Sequence, residues 1–168
     1  KVLAGQVREL SVLFGDGRAL DAVKALALDG KADVAVRKAA LQTVIEARPP
    51  DLRKICEQTL GVRFLNPVAA RGLAQFDDPA AAKQLVDAYK KFHHSERAQL
   101  LTVLASRPTY AKAFLTAIVE EKILRTDLNA SLARQIHGFS DPELKKLLSQ
   151  TWGEFRDSPA EKKALIAE

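Results

Sequence analysis

Methionine is missing from the 168 residues of this chain, and cysteine occurs once, at Cys56. A single cysteine excludes a disulfide bond within the chain, a zinc site made of several cysteines and a CxxCH haem attachment site. No apolar run approaches the roughly 20 residues that a membrane-spanning helix needs, and no signal peptide is visible. Because the sequence begins with Lys1 and lacks methionine, we expect either a processed chain or a segment excised from a longer one.

Aromatic residues are also few, at 6%. Alanine and leucine dominate instead, which favours helices over a sheet rich in β-branched and aromatic residues. The net charge is +5 and the isoelectric point is about 9.4. We interpret this excess as the solvated surface of a helical domain. The alternative is a surface for nucleic acid or an acidic partner, which would concentrate its positive charge in one patch.

Prolines and polar residues mark the expected helix boundaries. Asn66, Asp78, Asp141 and Ser158 each precede a proline, and we expect their side chains to accept hydrogen bonds from N–H groups at a helix start. Glu161 completes a capping box with Ser158. With the helical periodicity of the apolar residues, these signals predict helices near 2–14, 18–29, 33–47, 50–60, 66–76, 79–91, 95–106, 108–121, 128–139, 141–152 and 158–167.

Two stretches of the chain are nearly repeated. Residues 66–79 read NPVAARGLAQFDDP, and residues 129–142 read NASLARQIHGFSDP. Turn signals recur about every 30 residues, each period holding two short helices, which is typical of an α-solenoid. The Leu/Ala-rich pattern, with Asp-Pro between helices, resembles HEAT repeats. The sequence therefore predicts an all-α, HEAT/armadillo-like α–α superhelix of about five helical hairpins.

The repeated residues suggest where helices approach each other. Ala70 and Ala133 are small and are expected at close helix contacts. Arg71 and Arg134 are expected to bond neighbouring helix ends or inter-repeat loops. A shared row of ligand-binding arginines is the alternative.

The histidines offer little support for a metal site or for catalysis. His93 and His94 are adjacent in an expected loop, and adjacent residues on regular structure point apart, with no third ligand obvious nearby. His137 lies near an expected helix C-terminus, where a cation is favoured. No phosphate-binding glycine motif is present, and Asp78 of the Asp77-Asp78 pair is interpreted as a helix cap.

One basic cluster and one thiol remain as candidates. The basic cluster comprises Lys90, Lys91, His93, His94 and Arg97. Beside it, Tyr89 and Phe92 could stack on nucleic-acid bases, although packing between helices is the preferred interpretation. Lys54 and Arg53 could lower the pKa of Cys56, but without a matched catalytic histidine we expect a structural cysteine.

Short motifs in the last third resemble a known domain junction. These motifs are Lys122-Ile123, Arg125, Asp127-Leu128, Ala133-Arg134-Gln135-Ile136, Asp141-Pro142-Glu143-Leu144 and Trp152-Gly153. They resemble large membrane-bound dehydrogenase proteins of planctomycetes and verrucomicrobia. In that family a dehydrogenase domain, often a β-propeller, is followed by a HEAT-repeat segment and then by a cytochrome-c-like domain carrying CxxCH.

The resemblance implies a HEAT-like repeat domain at 1–157 and a capped helix at 158–168 that leads to a following domain. It also implies a periplasmic or otherwise extracytoplasmic redox protein, with haem c in the adjacent domain and no cofactor, metal or catalytic residue in this segment. The expected function is a non-catalytic scaffold that orients neighbouring domains and contacts other proteins; a basic solenoid that binds nucleic acid is the alternative. Trp152 is expected either to pack the end of the solenoid or to dock the next domain.

Overall fold

The computed structural model describes residues 17–153, and this part of the chain is all-α. It contains nine α-helices and two short 3₁₀ helices, at Tyr89–Lys91 and Arg125–Asp127. The α-helices are α1 (Gly17–Leu28), α2 (Val34–Ala47), α3 (Leu52–Thr59), α4 (Asn66–Leu73), α5 (Pro79–Ala88), α6 (His94–Leu104), α7 (Pro108–Val119), α8 (Ala130–His137) and α9 (Pro142–Thr151). The predicted helices at 2–14 and 158–167, and the predicted cap Ser158, lie outside the described residues.

Local capping explains where several of these helices begin. The Asp78 side chain accepts a hydrogen bond from the Ala80 N–H group, and Asp141 accepts from Glu143 and Leu144. In both cases a proline occupies the first turn, where its missing N–H group costs nothing. The predicted caps at Asp78 and Asp141 are therefore confirmed.

The predicted cap at Asn66 is wrong. The helix already includes Asn66, and the residue before it, Leu65, is at the N-cap position. The Asn66 side chain is fully buried and makes no hydrogen bond to the protein. Its counterpart in the second copy of the repeated stretch, Asn129, does cap a helix, accepting from Ser131 and Leu132. The two asparagines match in sequence, but burial removes Asn66 from the surface where capping occurs.

The helices pack in adjacent pairs. Contacts between neighbours in the chain join α1 to α2, α3 to α4, α5 to α6, α6 to α7, and α8 to α9. Helices two apart in the chain also contact each other: α1 with α3, α2 with α4, α4 with α6, α5 with α7, and α7 with α9. One continuous hydrophobic core runs through these contacts. None of the helices in residues 17–153 has the length and apolar character required to cross a membrane.

Later side chains bond the C-terminal ends of earlier helices. Arg37 Nε in α2 donates to the Ala27 carbonyl in α1, at 3.2 Å. Gln75, just after α4, donates to Ile45 in α2. The last four carbonyls of a helix have no partner within that helix, so these bonds satisfy groups that helix formation leaves open.

The close approach of α4 to its neighbours depends on Gly72. A Cβ atom at this position would lie 2.4 Å from Cys56 Sγ in α3 and 2.9 Å from Ile45 Cδ1 in α2. Ala70 and Ala133 are both fully buried, as the repeated stretches predicted. Small residues therefore allow α4 and α8 to pack closely into the core.

Candidate functional site

Four basic residues recur at near-constant spacing on the odd-numbered helices. Lys24, Arg53, Lys83 and Lys112 are separated by 29, 30 and 29 residues and lie in α1, α3, α5 and α7. We call this set the cation row. This spacing places one cation on each of four alternate helices.

Three members of the cation row bind an acidic residue at the start of the next-but-one helix. Lys24 lies 2.7 Å from Asp51, just before α3, and Arg53 lies 2.5 Å from Asp78, just before α5. Lys112 Nζ lies 2.6 Å from Glu143 in the first turn of α9. Each ion pair connects helices that belong to different helix pairs, so these three cations link neighbouring helix pairs.

The pKa of two of these carboxyl groups is lowered. The hydrogen bond from Lys24 is the main cause of the lowered pKa of Asp51. For Asp78, the hydrogen bond from the Ala80 N–H group lowers the pKa most, followed by the bond from Arg53. Both carboxylates therefore combine a position at a helix start with a cation from an earlier helix.

Lys83 is the exception in the cation row. Its Nζ contacts Asp87 of its own helix, at 2.7 Å, and the Lys83 side chain is 74% exposed. The start of α7, where a partner on the next-but-one helix would lie, reads Arg107-Pro108-Thr109 and contains no acidic residue. The Arg107 guanidinium lies instead over the Tyr110 ring, 5.4 Å from its centroid.

A groove of about 590 Å³ lies at this gap, between α5 and α7. Pro79, Val86, Pro108, Ala113 and Ala117 supply its apolar surface, and Thr109 lines it at the start of α7. Charged residues around this surface carry both signs, namely Lys83, Asp87, Lys112, Glu120, Lys122 and Asp141. We call this feature the α5–α7 groove. Its surface suits apolar side chains, and its charges suit mixed polar contacts.

The residues of the basic cluster are exposed or partly exposed, whereas the aromatic rings beside it are buried. Lys90 and Lys91 are exposed, whereas Tyr89 and Phe92 are buried, at 3% and 2% exposure. The Tyr89 hydroxyl donates to Asp127, and Arg97 covers the ring at 4.5 Å from its centroid. Burial is the main cause of the raised pKa of Tyr89. The interpretation that these rings pack between helices is confirmed, so neither ring is available to stack on a base.

The two adjacent histidines do not point apart as expected. Their ring centroids are 4.0 Å from each other, with the planes tilted by 45°. His94 already belongs to α6, and His93 caps this helix by accepting a hydrogen bond from the Ser95 N–H group. The expected loop therefore ends at a helix cap. His137 lies in the last turn of α8, as predicted.

Cys56 is structural, as expected. Its thiol is fully buried, and burial raises its pKa to about 12. The alternative, in which Lys54 and Arg53 lower the pKa, is wrong because Arg53 binds Glu57 and Asp78 instead. The buried thiol packs where Gly72 of α4 meets α3.

The prediction that Arg71 and Arg134 bond neighbouring helix ends or inter-repeat loops is wrong. Arg134 Nε donates to the Ala130 carbonyl of its own helix, at 3.2 Å. Arg71 is exposed and lines a shallow cleft beside Gln42 and Glu46 of α2. The linking role belongs instead to the cation row, which sequence reasoning missed although its spacing is visible in the sequence. Trp152 directly follows α9 and packs, partly buried, against the core.

Comparison of the chain with protein-family models, with curated proteins and with solved structures finds no match. In residues 17–153, no group of three or more His, Cys, Asp or Glu side chains is placed to hold a metal ion.

Proposed function

We propose that this domain is a non-catalytic HEAT-like scaffold that holds neighbouring domains at a fixed distance and orientation. In this proposal the paired helices form a right-handed α–α superhelix, with odd-numbered helices in one layer and even-numbered helices in the other. The observation that supports it most is the set of ion pairs from Lys24, Arg53 and Lys112 to the next-but-one helix. Contacts of this kind connect neighbouring repeats at three of the four steps from α1 to α9 and resist bending there.

The larger protein in this proposal is a periplasmic or extracytoplasmic redox protein with a dehydrogenase-like domain and a domain carrying haem c. Support for this part comes from the resemblance of residues 122–153 to the junction described above. The residues of this domain would then position the redox domains and contact partner proteins, without taking part in electron transfer.

Pulsed electron paramagnetic resonance can test the spacer role. Spin labels at Ala22→Cys and Lys145→Cys would report the distance between α1 and α9, both positions being exposed. The buried Cys56 thiol should stay unlabelled under native conditions. One narrow distance distribution is expected. A broad distribution would show that the repeats bend freely and would reject a spacer of fixed length.

A second measurement addresses the redox context. Antibodies against this domain would be used to isolate the native protein, whose absorption spectrum would then be recorded in alkaline pyridine. Covalently bound haem c is expected. A native protein without haem would reject the redox context while leaving the distance measurement, and the spacer role, intact.

A further inference from the structure

We propose that the α5–α7 groove binds a largely apolar segment of a partner protein that carries a single carboxylate, which pairs with Lys83. This proposal does not depend on the redox context above. It follows from the cation row, in which Lys24, Arg53 and Lys112 each bind an acidic residue of another repeat. Lys83 occupies the same place in the series, but the start of α7 offers it no acidic residue.

Comparison of the first turn of α7 with that of α9 shows which group Lys83 lacks, namely a carboxylate directly after the proline. Glu143 follows Pro142 in the first turn of α9 and binds Lys112. At the same position of α7, directly after Pro108, the chain has Thr109. Thr109 and Lys83 both line the α5–α7 groove. A carboxylate bound in this groove can therefore take the place that the Glu143 side chain has in the next repeat.

Lys83 is also the member of the row most open to a new partner. Its side chain is 74% exposed, against 18% for Lys24, 37% for Arg53 and 48% for Lys112. Its present contact, with Asp87 four residues later in the same helix, is of a kind that contributes little to stability. Exchange of Asp87 for an incoming carboxylate therefore meets little resistance.

The rest of the groove favours a protein segment over nucleic acid. Val86, Ala113 and Ala117 give it an apolar surface that suits small side chains on either side of the acidic residue. Asp87, Glu120 and Asp141 also line the groove. Their carboxylates would repel a continuous row of phosphates, whereas a single carboxylate can reach Lys83 alone.

Peptide binding to the 168-residue chain tests the proposal. The probe is a short fluorescein-labelled peptide with one glutamate flanked by alanine and leucine, and its twin carries glutamine in place of the glutamate. Fluorescence anisotropy should show that the glutamate peptide binds about tenfold more tightly than its twin. Lys83→Gln should abolish this preference, whereas Lys90→Gln, the same charge change at an exposed lysine outside the groove, should preserve it.

A second variant supplies the missing group within the chain. Thr109→Glu should pair with Lys83, raise the melting temperature and abolish binding of the glutamate peptide. The proposal would be overturned if the glutamate peptide did not bind, if its twin bound equally well, or if Lys90→Gln weakened binding as much as Lys83→Gln. Competition by single-stranded DNA would assign the site to polyanions. If the chain dimerised and Thr109→Glu prevented this, the groove would be assigned to a second copy of the chain. Competition by DNA and dimerisation through the groove would each overturn the proposal.

Discussion

The Tyr110 hydroxyl group in α7 donates a 2.8 Å hydrogen bond to the carbonyl oxygen of Leu73, the last residue of α4. It also contacts the carbonyl oxygen of Phe76, in the turn that follows α4. The Tyr110 side chain is fully buried, and burial is the main cause of its raised pKa. One side chain thus fixes the end of α4 from a helix that begins 35 residues later.

Removal of this hydroxyl group should destabilise the domain without changing its fold. Tyr110→Phe retains the ring but removes the hydroxyl hydrogen bond, while the Leu73 and Phe76 carbonyls keep their backbone donors, the N–H groups of Phe76 and Asp78. We therefore expect a loss of about 1 kcal/mol in the free energy of unfolding. Urea denaturation followed by circular dichroism measures this loss. As a control, the slope of the free energy of unfolding against urea concentration should be unchanged. A change of only a few tenths of a kcal/mol in the free energy of unfolding would show that another hydrogen-bond donor replaces the Tyr110 hydroxyl group.

Gly72→Ala tests the close contact between α3 and α4. A Cβ atom 2.4 Å from Cys56 Sγ forces the helices apart, at a cost of about 1–3 kcal/mol. This exceeds the roughly 1 kcal/mol that alanine contributes over glycine through helix propensity. We therefore expect a lower melting temperature in a thermal scan.

A matched control and a double variant sharpen the Gly72 result. Gly61→Ala adds the same atom where the nearest atom beyond the adjacent residues, Lys91 Cδ, is 4.0 Å away, and should have a much smaller effect. In a Cys56→Ala background the cost of Gly72→Ala should fall, because the closest atom is gone. An equal cost in both backgrounds would contradict the predicted clash.

Stability should fall at low pH partly through Asp51 and Asp78. Both carboxyl groups have a pKa in the folded state that lies below the unfolded value of about 3.9. Their contribution is therefore fully present above that value, and it is lost as the pH falls through the lowered pKa of the folded state.

Asp78→Asn isolates one of these contributions. The variant should be less stable than the parent at neutral pH, and this difference should shrink as the pH falls below about 4. Urea denaturation over a pH series provides the measurement. Asp77→Asn makes the same charge change next to the cap, and a pH profile equal to that of Asp78→Asn would show that only net charge matters.

The Cys56 thiol should be unreactive in the folded domain. It is fully buried and has a pKa of about 12, so almost no thiolate exists near neutral pH. Ellman's reagent should react with it only after urea is added. Rapid reaction without urea would mean that α3 and α4 separate readily at this point.

Local chemistry determined which features the sequence could predict. Helix starts at Asp78 and Asp141 were predictable, because a cap and its N–H donors lie within three residues of each other. The same pattern failed at Asn66, since burial against other helices decides the environment of its side chain. Periodicity predicted the helices, and every helix from α1 to α9 begins and ends within three residues of its predicted range.

Contacts between distant residues were not predictable in the same way. Arg53 and Asp78 are 25 residues apart, and their pairing depends on how α3 and α5 are placed. The spacing of the cation row was available in the sequence, but the missing acidic residue at Thr109 has meaning only once α7 and α9 are aligned. The contact between the tilted rings of His93 and His94 likewise depends on the position where α6 begins.

The hydrogen bonds to helix ends also have a direction along the chain. Arg37 bonds Ala27, Gln75 bonds Ile45, and Tyr110 bonds Leu73, so every donor follows its acceptor in sequence. On the ribosome the acceptor emerges first and stays hydrated until the donor has been synthesised. Each of these three acceptor helices is therefore completed by a residue that leaves the exit tunnel after it, and the domain should become resistant to protease stepwise, from its N-terminal side, as translation proceeds.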